Sequence, residues 1–188
     1  MSPGRLNALT DGVVAIVLTI MVLELRLPEE PTFRAVLTVL PLLAAYLLAF
    51  IYVAIYWNNH HHMMQSAHKV TGVVLWSNHA LLFWLTLFPL MIRWIDEVGI
   101  RPWPVAAFGL VLVGAAVSYQ QLERALIAAE GEQSDVKKAI GRGVKEWASF
   151  TLYLVAIATA FVSPMLSVAI YIAVAAMWLI PDRRFVRG

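Results

Sequence analysis

Long apolar runs, separated by short polar or proline-rich breaks, set the pattern of this chain and predict six helical spans. The first covers about 6–27 and stops at Leu27-Pro28-Glu29-Glu30-Pro31, a turn rich in helix breakers. At about 1.5 Å per residue it reaches roughly 33 Å, enough to cross the hydrocarbon core of a bilayer. The second, about 33–57, ends in Tyr56-Trp57, aromatics suited to a membrane interface. A polar stretch follows, from Asn58 through His60, His61 and His62 to His68 and Lys69. The third span, about 70–94, contains Trp76, Asn78, His79 and Trp84, with Pro89 near its far end. The fourth, about 103–126, runs into a polar segment from Glu130 to Gly143. The fifth, about 144–163, stops at Ser163-Pro164, and the sixth, about 165–181, is the shortest. The expected fold is an all-α membrane bundle of six transmembrane helices, forming one domain over residues 1–188.

Wheel arithmetic divides the first span into two faces. Leu9, Gly12, Val13, Ile16, Ile20 and Leu23 fall in one stripe, with Thr19 on its flank, while Asp11, Ala15, Leu18 and Val22 point the other way. If copies of this helix surrounded an axis, the stripe would become stacked hydrophobic rings, and such rings gate pores by dewetting. An ordinary packed membrane helix is also apolar all round, so periodicity alone leaves both readings open. Arg5 and Asp11 stand where the apolar run begins, and ionisable groups there are costly against lipid, which marks a polar site.

Composition decides the class. Hydrophobic residues make up 61% and charged residues 14% of the chain, with a mean hydropathy of +0.74. That describes a polytopic membrane protein, not a soluble domain. The net charge of +2 is read as loop orientation, with no nucleic-acid partner expected. Six spans put both termini on one side. Arg5, Lys69, Arg124, Lys137, Lys138, Arg142, Lys145, Arg183, Arg184 and Arg187 then share that side, against Arg26, Arg34, Arg93 and Arg101 on the other. This imbalance predicts cytoplasmic N- and C-termini. The N-terminus lacks a signal-peptide pattern, so the first span is expected to stay in the protein.

The chemistry-bearing residues are few. Cysteine is absent, which removes disulfides, thiolate metal sites and thiol nucleophiles. His60, His61 and His62 are consecutive and about 100° apart on a helix, so they cannot converge on one metal ion. No nucleophile elbow, P-loop, dinucleotide fingerprint or zinc-protease motif occurs, and no enzyme, cofactor or resident metal is expected. The potassium-filter sequence Thr-Val-Gly-Tyr-Gly is also missing. Asn78 and His79 are polar groups within an apolar span and need partners. Arg5 and Asp11 need partners too, and about 600° of helix between them prevents pairing along one face. The economical expectation is an interhelical network of Arg5 and Asp11, His60 or His61, and Asn78 or Trp76.

Arg5-Leu-Asn-Ala-Leu9-Thr10-Asp11-Gly-Val-Val-Ala-Ile16, continuing through Thr19-Ile20 to Leu23-Glu24, resembles the opening helix of the lysosomal potassium channel family called transmembrane protein 175, in its bacterial single-repeat form. The family signature is an Arg, three variable residues, then Phe-Ser-Asp. Here those positions read Arg5, Leu9, Thr10 and Asp11, so the hydroxyl is kept and the aromatic ring is replaced by leucine. Tyr56-Trp57-Asn-Asn-His60-His61, then Leu75-Trp76-Ser-Asn78 and Leu85-Thr-Leu-Phe88-Pro89, is similar to the family's segment joining spans two and three. The resemblance covers about residues 5–90. It implies a potassium-permeable cation channel, built as a homotetramer in a bacterial inner membrane, whose pore is lined by the first helix of each subunit. It also implies aliphatic constrictions at Ile16, Ile20 and Leu23, with Thr19 as a polar pore-facing residue. Arg5, Thr10 and Asp11 would belong to a cytoplasmic network with the His and Asn of spans two and three. Potassium ions and membrane lipid are the implied partners. The rival reading is a proton channel or proton-coupled transporter using His60, His61 and His79.

Overall fold

The computed structural model describes residues 2–26, 28–134, 137 and 143–179, and among these the regular structure is entirely helical. Helix α1 spans Pro3–Leu23 and α2 spans Phe33–Gln65. Then come α3, Gly72–Leu85, and α4, Phe88–Val98, followed by the long α5, Pro102–Glu130. The last two are α6, Val144–Thr159, and α7, Pro164–Leu179. Four stretches are long and apolar enough to cross a bilayer: α1, α2, α3 with α4 as one run, and α5. Helices α6 and α7 each have 16 residues.

Local chemistry explains the boundaries. Proline stands in the first turn of α1, α4 and α5, where its missing N–H costs nothing. The Thr32 hydroxyl accepts from the Ala35 N–H at 3.2 Å and Thr71 accepts from Val74 at 3.3 Å, capping α2 and α3. Pro89 cannot donate to the carbonyl one turn earlier, so the third span is interrupted at Thr86–Leu87 and restarts as α4. Gly99 and Gly131 follow α4 and α5 at φ 78° and 103°, which lets the chain leave each helix in a conformation that favours glycine.

These boundaries differ from the hydropathy pattern in one instructive way. Helix α2 does not stop at Trp57 but carries Asn58, His60, His61 and Gln65 as helical residues, and α5 likewise continues to Glu130. Hydropathy reports where apolar surface ends, whereas the backbone ladder ends only where a breaker or cap stops it. Helix α6 ends at Thr159, short of Ser163, in a turn that leads into Pro164. The expected limits at Leu27 and Pro181, and the basic residues Lys138, Arg142, Arg183, Arg184 and Arg187, lie outside the described residues.

The core is densest around α5. Tyr52, Phe88, Phe108, Tyr153 and Tyr171 are buried together, with Tyr52 set edge-on to Phe108 and to Tyr153. Their polar ends are used: Tyr52 donates to the Tyr171 carbonyl at 2.7 Å, and Tyr171 donates to the Val105 carbonyl at 3.1 Å. Two glycines of α5 make the packing possible. A methyl group on Gly114 would overlap the Trp84 ring, and one on Gly109 would overlap the Tyr171 hydroxyl. Ser167 donates to the Ala156 carbonyl at 2.7 Å and Trp178 donates to Ser149 at 2.8 Å, tying α6 to α7. Small residues and interhelical hydrogen bonds of this kind are how helices associate where lipid removes the hydrophobic incentive.

Candidate functional site

Helix α1 is two-sided. Leu6, Thr10, Val14, Val17 and Met21 are buried, and their spacing puts them on one face against α2, α3 and α4. The stripe predicted from the sequence lies mostly away from that face. Leu9, Gly12, Ile16, Ile20 and Leu23 are exposed, Ile16 at 58% and Leu23 at 79%, while Val13 is half-buried. Thr19 is exposed beside them. Its hydroxyl donates back to the carbonyls of Ile16 at 2.8 Å and Ala15 at 3.1 Å, so the oxygen keeps accepting capacity.

The buried face carries the polar anchor. Asn78 of α3 donates through Nδ2 to Thr10 Oγ1 at 3.1 Å, and Thr10 donates to the Leu6 carbonyl at 3.1 Å. Asn78 Oδ1 lies 2.8 Å from His60 Nε2. An amide oxygen only accepts, so His60 carries its proton on Nε2 and Nδ1 is left as an acceptor. Thr10, His60 and Asn78 are all fully buried, and one residue from each of three helices is thereby joined.

A second polar group lies beside this triad. Trp57 donates its indole N–H to Asp11 Oδ1 at 2.8 Å, and Asn7 Nδ2 reaches Oδ2 at 3.4 Å. The Trp57 ring stacks on His61, 5.5 Å between centroids and 25° between planes. Gln65 Nε2 stands 2.8 Å from His61 Nε2; the amide donates, which places the His61 proton on Nδ1. Three buried atoms here have no hydrogen-bond partner: Asn7 Oδ1, His60 Nδ1 and His61 Nδ1. Two accept and one donates.

Arg5 and Trp76 are not brought into this group within the chain. Arg5 is exposed. Trp76 is 76% exposed, with His79 near its ring at 5.8 Å, while His79 donates from Nδ1 to the Leu75 carbonyl at 2.7 Å. Two residues along a helix is about 200°, so with Asn78 turned inward Trp76 must turn outward. Trp57, read in the sequence as an interfacial aromatic, is instead a partner of Asp11. The signal was an indole donor in a polar stretch with no other use for its N–H.

The connection between α2 and α3 is itself held. Glu130, at the end of α5, accepts through Oε1 from the backbone N–H of His68 at 2.5 Å and of Lys69 at 2.6 Å. This ties the loop that separates His60 from Asn78 to the α5 frame.

A potassium channel of Chryseobacterium sp. (strain P1-3) is 47% identical over 184 residues, 98% of this chain and 96% of that one. The family described as endosomal/lysosomal potassium channel TMEM175 matches residues 5–89, which hold both the α1 stripe and the whole anchor. The chain belongs to the TMEM175 family. A second relative, a potassium channel of Chamaesiphon minutus (strain ATCC 27169 / PCC 6605), is 28% identical over 182 residues, 89% of this chain and 88% of that one. The fold is that of a solved structure, the crystal structure of a lysosomal potassium-selective channel TMEM175 homolog from Chamaesiphon minutus. The TM-score is 0.84 at 24% identity, covering 95% of this chain and 96% of that one. The TMEM175 fold and the apolar helices make this an integral membrane protein.

Proposed function

We propose that this chain is the subunit of a potassium-permeable channel, a homotetramer whose α1 helices surround the ion pathway. The observation that carries this reading is the asymmetry of α1. Its one face is pinned by Thr10 to Asn78, and through Asn78 to His60, and by Asp11 to Trp57, while Leu9, Ile16, Ile20 and Leu23 are left uncovered by the subunit's own helices. A helix fixed so firmly in azimuth presents one chosen face, and four such faces around an axis make stacked aliphatic rings. Ile16, Ile20 and Leu23 then serve as constriction and hydrophobic gate, where water leaves the pore unless the rings dilate. Thr19 adds a ring of oxygens between Ile16 and Ile20. Names of the relatives, both potassium channels, support potassium as the ion. The basic-residue imbalance supports cytoplasmic termini, and bacterial relatives support a bacterial inner membrane.

The test is the reversal potential of purified protein in a planar bilayer with potassium on one side and sodium on the other. A potential displaced toward the potassium equilibrium value is the expected result. Absence of current in every cation gradient would remove the channel reading.

A second reading has one observation in its favour. His60 and His61 each keep a buried ring nitrogen without a partner, one an acceptor and the other a donor, so the pair has capacity for proton transfer. Proton flux driven by a pH gradient in liposomes, without potassium current, is the result that would select it.

A further inference from the structure

Where α2, α5, α6 and α7 meet, toward the end of the bundle that carries the polar anchor, a cavity of about 30 Å³ remains between them. Aromatic rings make much of its wall: Tyr52 and Tyr56 of α2, Tyr119 of α5, Tyr153 of α6 and Trp178 of α7. The tyrosines pack as tilted pairs, Tyr52 with Tyr153 at 6.1 Å and Tyr56 with Tyr119 at 6.0 Å between centroids. Asn59, Gln120 and Glu146 also line the cavity, each nearer than those tyrosines to the anchor end of its own helix. Tyr52 and Tyr153 are fully buried, whereas Asn59, Gln120 and Glu146 are half-buried. The cavity is therefore aromatic in its depth and polar at its mouth.

Hydrogen-bond capacity decides what kind of guest fits. Several lining donors are spent within the chain: Tyr52 on the Tyr171 carbonyl, Tyr56 on the Leu112 carbonyl at 3.4 Å, and Trp178 on Ser149. Ser149 donates in turn to the Lys145 carbonyl at 2.7 Å, and Asn59 donates through Nδ2 to the Ile55 carbonyl at 2.9 Å. Acceptors are left over. Asn59 keeps its amide oxygen, and the Glu146 carboxylate forms no hydrogen bond or ion pair among the described residues. Tyr119, Tyr153 and Gln120 can each accept as well as donate. Glu146 is also the one charged residue in the lining, and aromatic faces attract cations. The chain itself shows the preference, with Lys145 Nζ 5.8 Å from the centre of the Trp178 ring, outside the lining.

We infer that this cavity binds the head of a primary alkylammonium ion, with its N–H groups on Glu146 and Asn59 and its first carbon against the tyrosine rings. A guest of this class brings the donors and the positive charge that the wall lacks. Size selects among cations: at roughly 10–15 Å³ for each water-sized group there is room for about two, an ammonium and one carbon. A quaternary ammonium surrounds its nitrogen with four carbons and is too large. A bare potassium ion would exchange its hydration for a wall made mostly of carbon, at a high cost in free energy. Tyr56 and Asn59 of the cavity adjoin Trp57 and His60 of the anchor along α2, so occupancy bears on the helix that holds α1.

The experiment is isothermal titration calorimetry of full-length protein in detergent and potassium chloride buffer, with butylammonium chloride, tetramethylammonium chloride and 1-butanol as probes. Wild type is expected to bind butylammonium saturably, at one site per chain and several-fold more tightly than either of the other two. Glu146→Gln keeps the shape and removes the charge, and is expected to weaken butylammonium about tenfold. Ala116→Leu fills the cavity and is expected to abolish saturable binding. Absence of saturable binding by wild type overturns the assignment, and so does wild-type affinity in Glu146→Gln. Butanol binding as tightly as butylammonium would show an apolar pocket with no use for charge, and tetramethylammonium binding as tightly would remove the primary ammonium; either result overturns the proposal. Should Ala116→Leu fail to fold, the half-buried Glu146→Gln decides alone.

Discussion

The two halves of this chain are built on opposite terms. Around α5, α6 and α7, glycines and tyrosines bring helices into close approach, and the hydroxyls of Tyr52, Tyr171 and Ser167 donate to carbonyls of neighbouring helices. Around α1, packing covers one face only, and specificity comes from four polar side chains, Thr10, Asp11, His60 and Asn78, with Trp57. The first half is a frame that resists change in volume. The second is a positioned helix that resists rotation. Substitutions in the two should therefore fail in different ways.

The largest effect is expected in the frame. Gly114→Val puts a branched side chain into the Trp84 ring. Overpacking costs about 1–3 kcal/mol or more, and the helix gains at most about 1 kcal/mol from losing a glycine. Net destabilisation follows, read as a lower melting temperature in detergent. A melting temperature at or above wild type would show that α3 and α5 can separate freely, and would end the description of this half as rigid.

Next comes the anchor. Asn78→Ala leaves His60 Nε2 and Thr10 without their shared partner, at about 1–3 kcal/mol for a buried orphaned group. Frame stability should fall less than the specific placement of α1, so an α1 cross-linking pattern should blur before the melting curve moves far. Trp57→Phe keeps the ring on His61 and deletes one donor to Asp11. A hydrogen bond to a charged group is worth about 1.5–3 kcal/mol, discounted to roughly 1 kcal/mol because both partners are only half-buried. If Trp57→Phe proved as damaging as Asn78→Ala, the indole would be the main tether rather than the amide.

The smallest effect on stability sharpens the comparison most. Ile16→Asn alters an exposed side chain and should change folding by about 0.5 kcal/mol or less. In the proposed pore it should raise the leak current, because a polar ring holds water. Loss of membrane-inserted protein instead would place the stripe against lipid.

How far the chain was readable follows from the range of the interactions. The apolar helices, and the residues that need partners, are written in local pattern: hydropathy, prolines, and isolated polar groups such as Asn78. The exclusion of Trp76 from the anchor was also available, since a two-residue step turns a helix past its opposite face. What local pattern does not carry is which glycine meets which ring. Gly109 with Tyr171 and Gly114 with Trp84 join residues far apart in the chain, and spans four to six showed no motif to suggest them. Nor did hydropathy foresee that α2 stays helical to Gln65, because the stretch from Asn58 to Gln65 is polar yet contains no helix breaker.

That overlong helix has a consequence for where charge can reside. With 33 residues, α2 is about 50 Å long, against a hydrocarbon thickness of about 30 Å. Tilting alone would need an angle of about 53°, beyond the roughly 0–40° that membrane helices adopt. Part of α2 must stand outside the oily layer, and its polar part is the end from Asn58 to Gln65. Asp11 and its neighbours are thereby lifted to the depth where headgroups and water begin, and a carboxylate that would be prohibitive at the bilayer centre becomes an inexpensive peg.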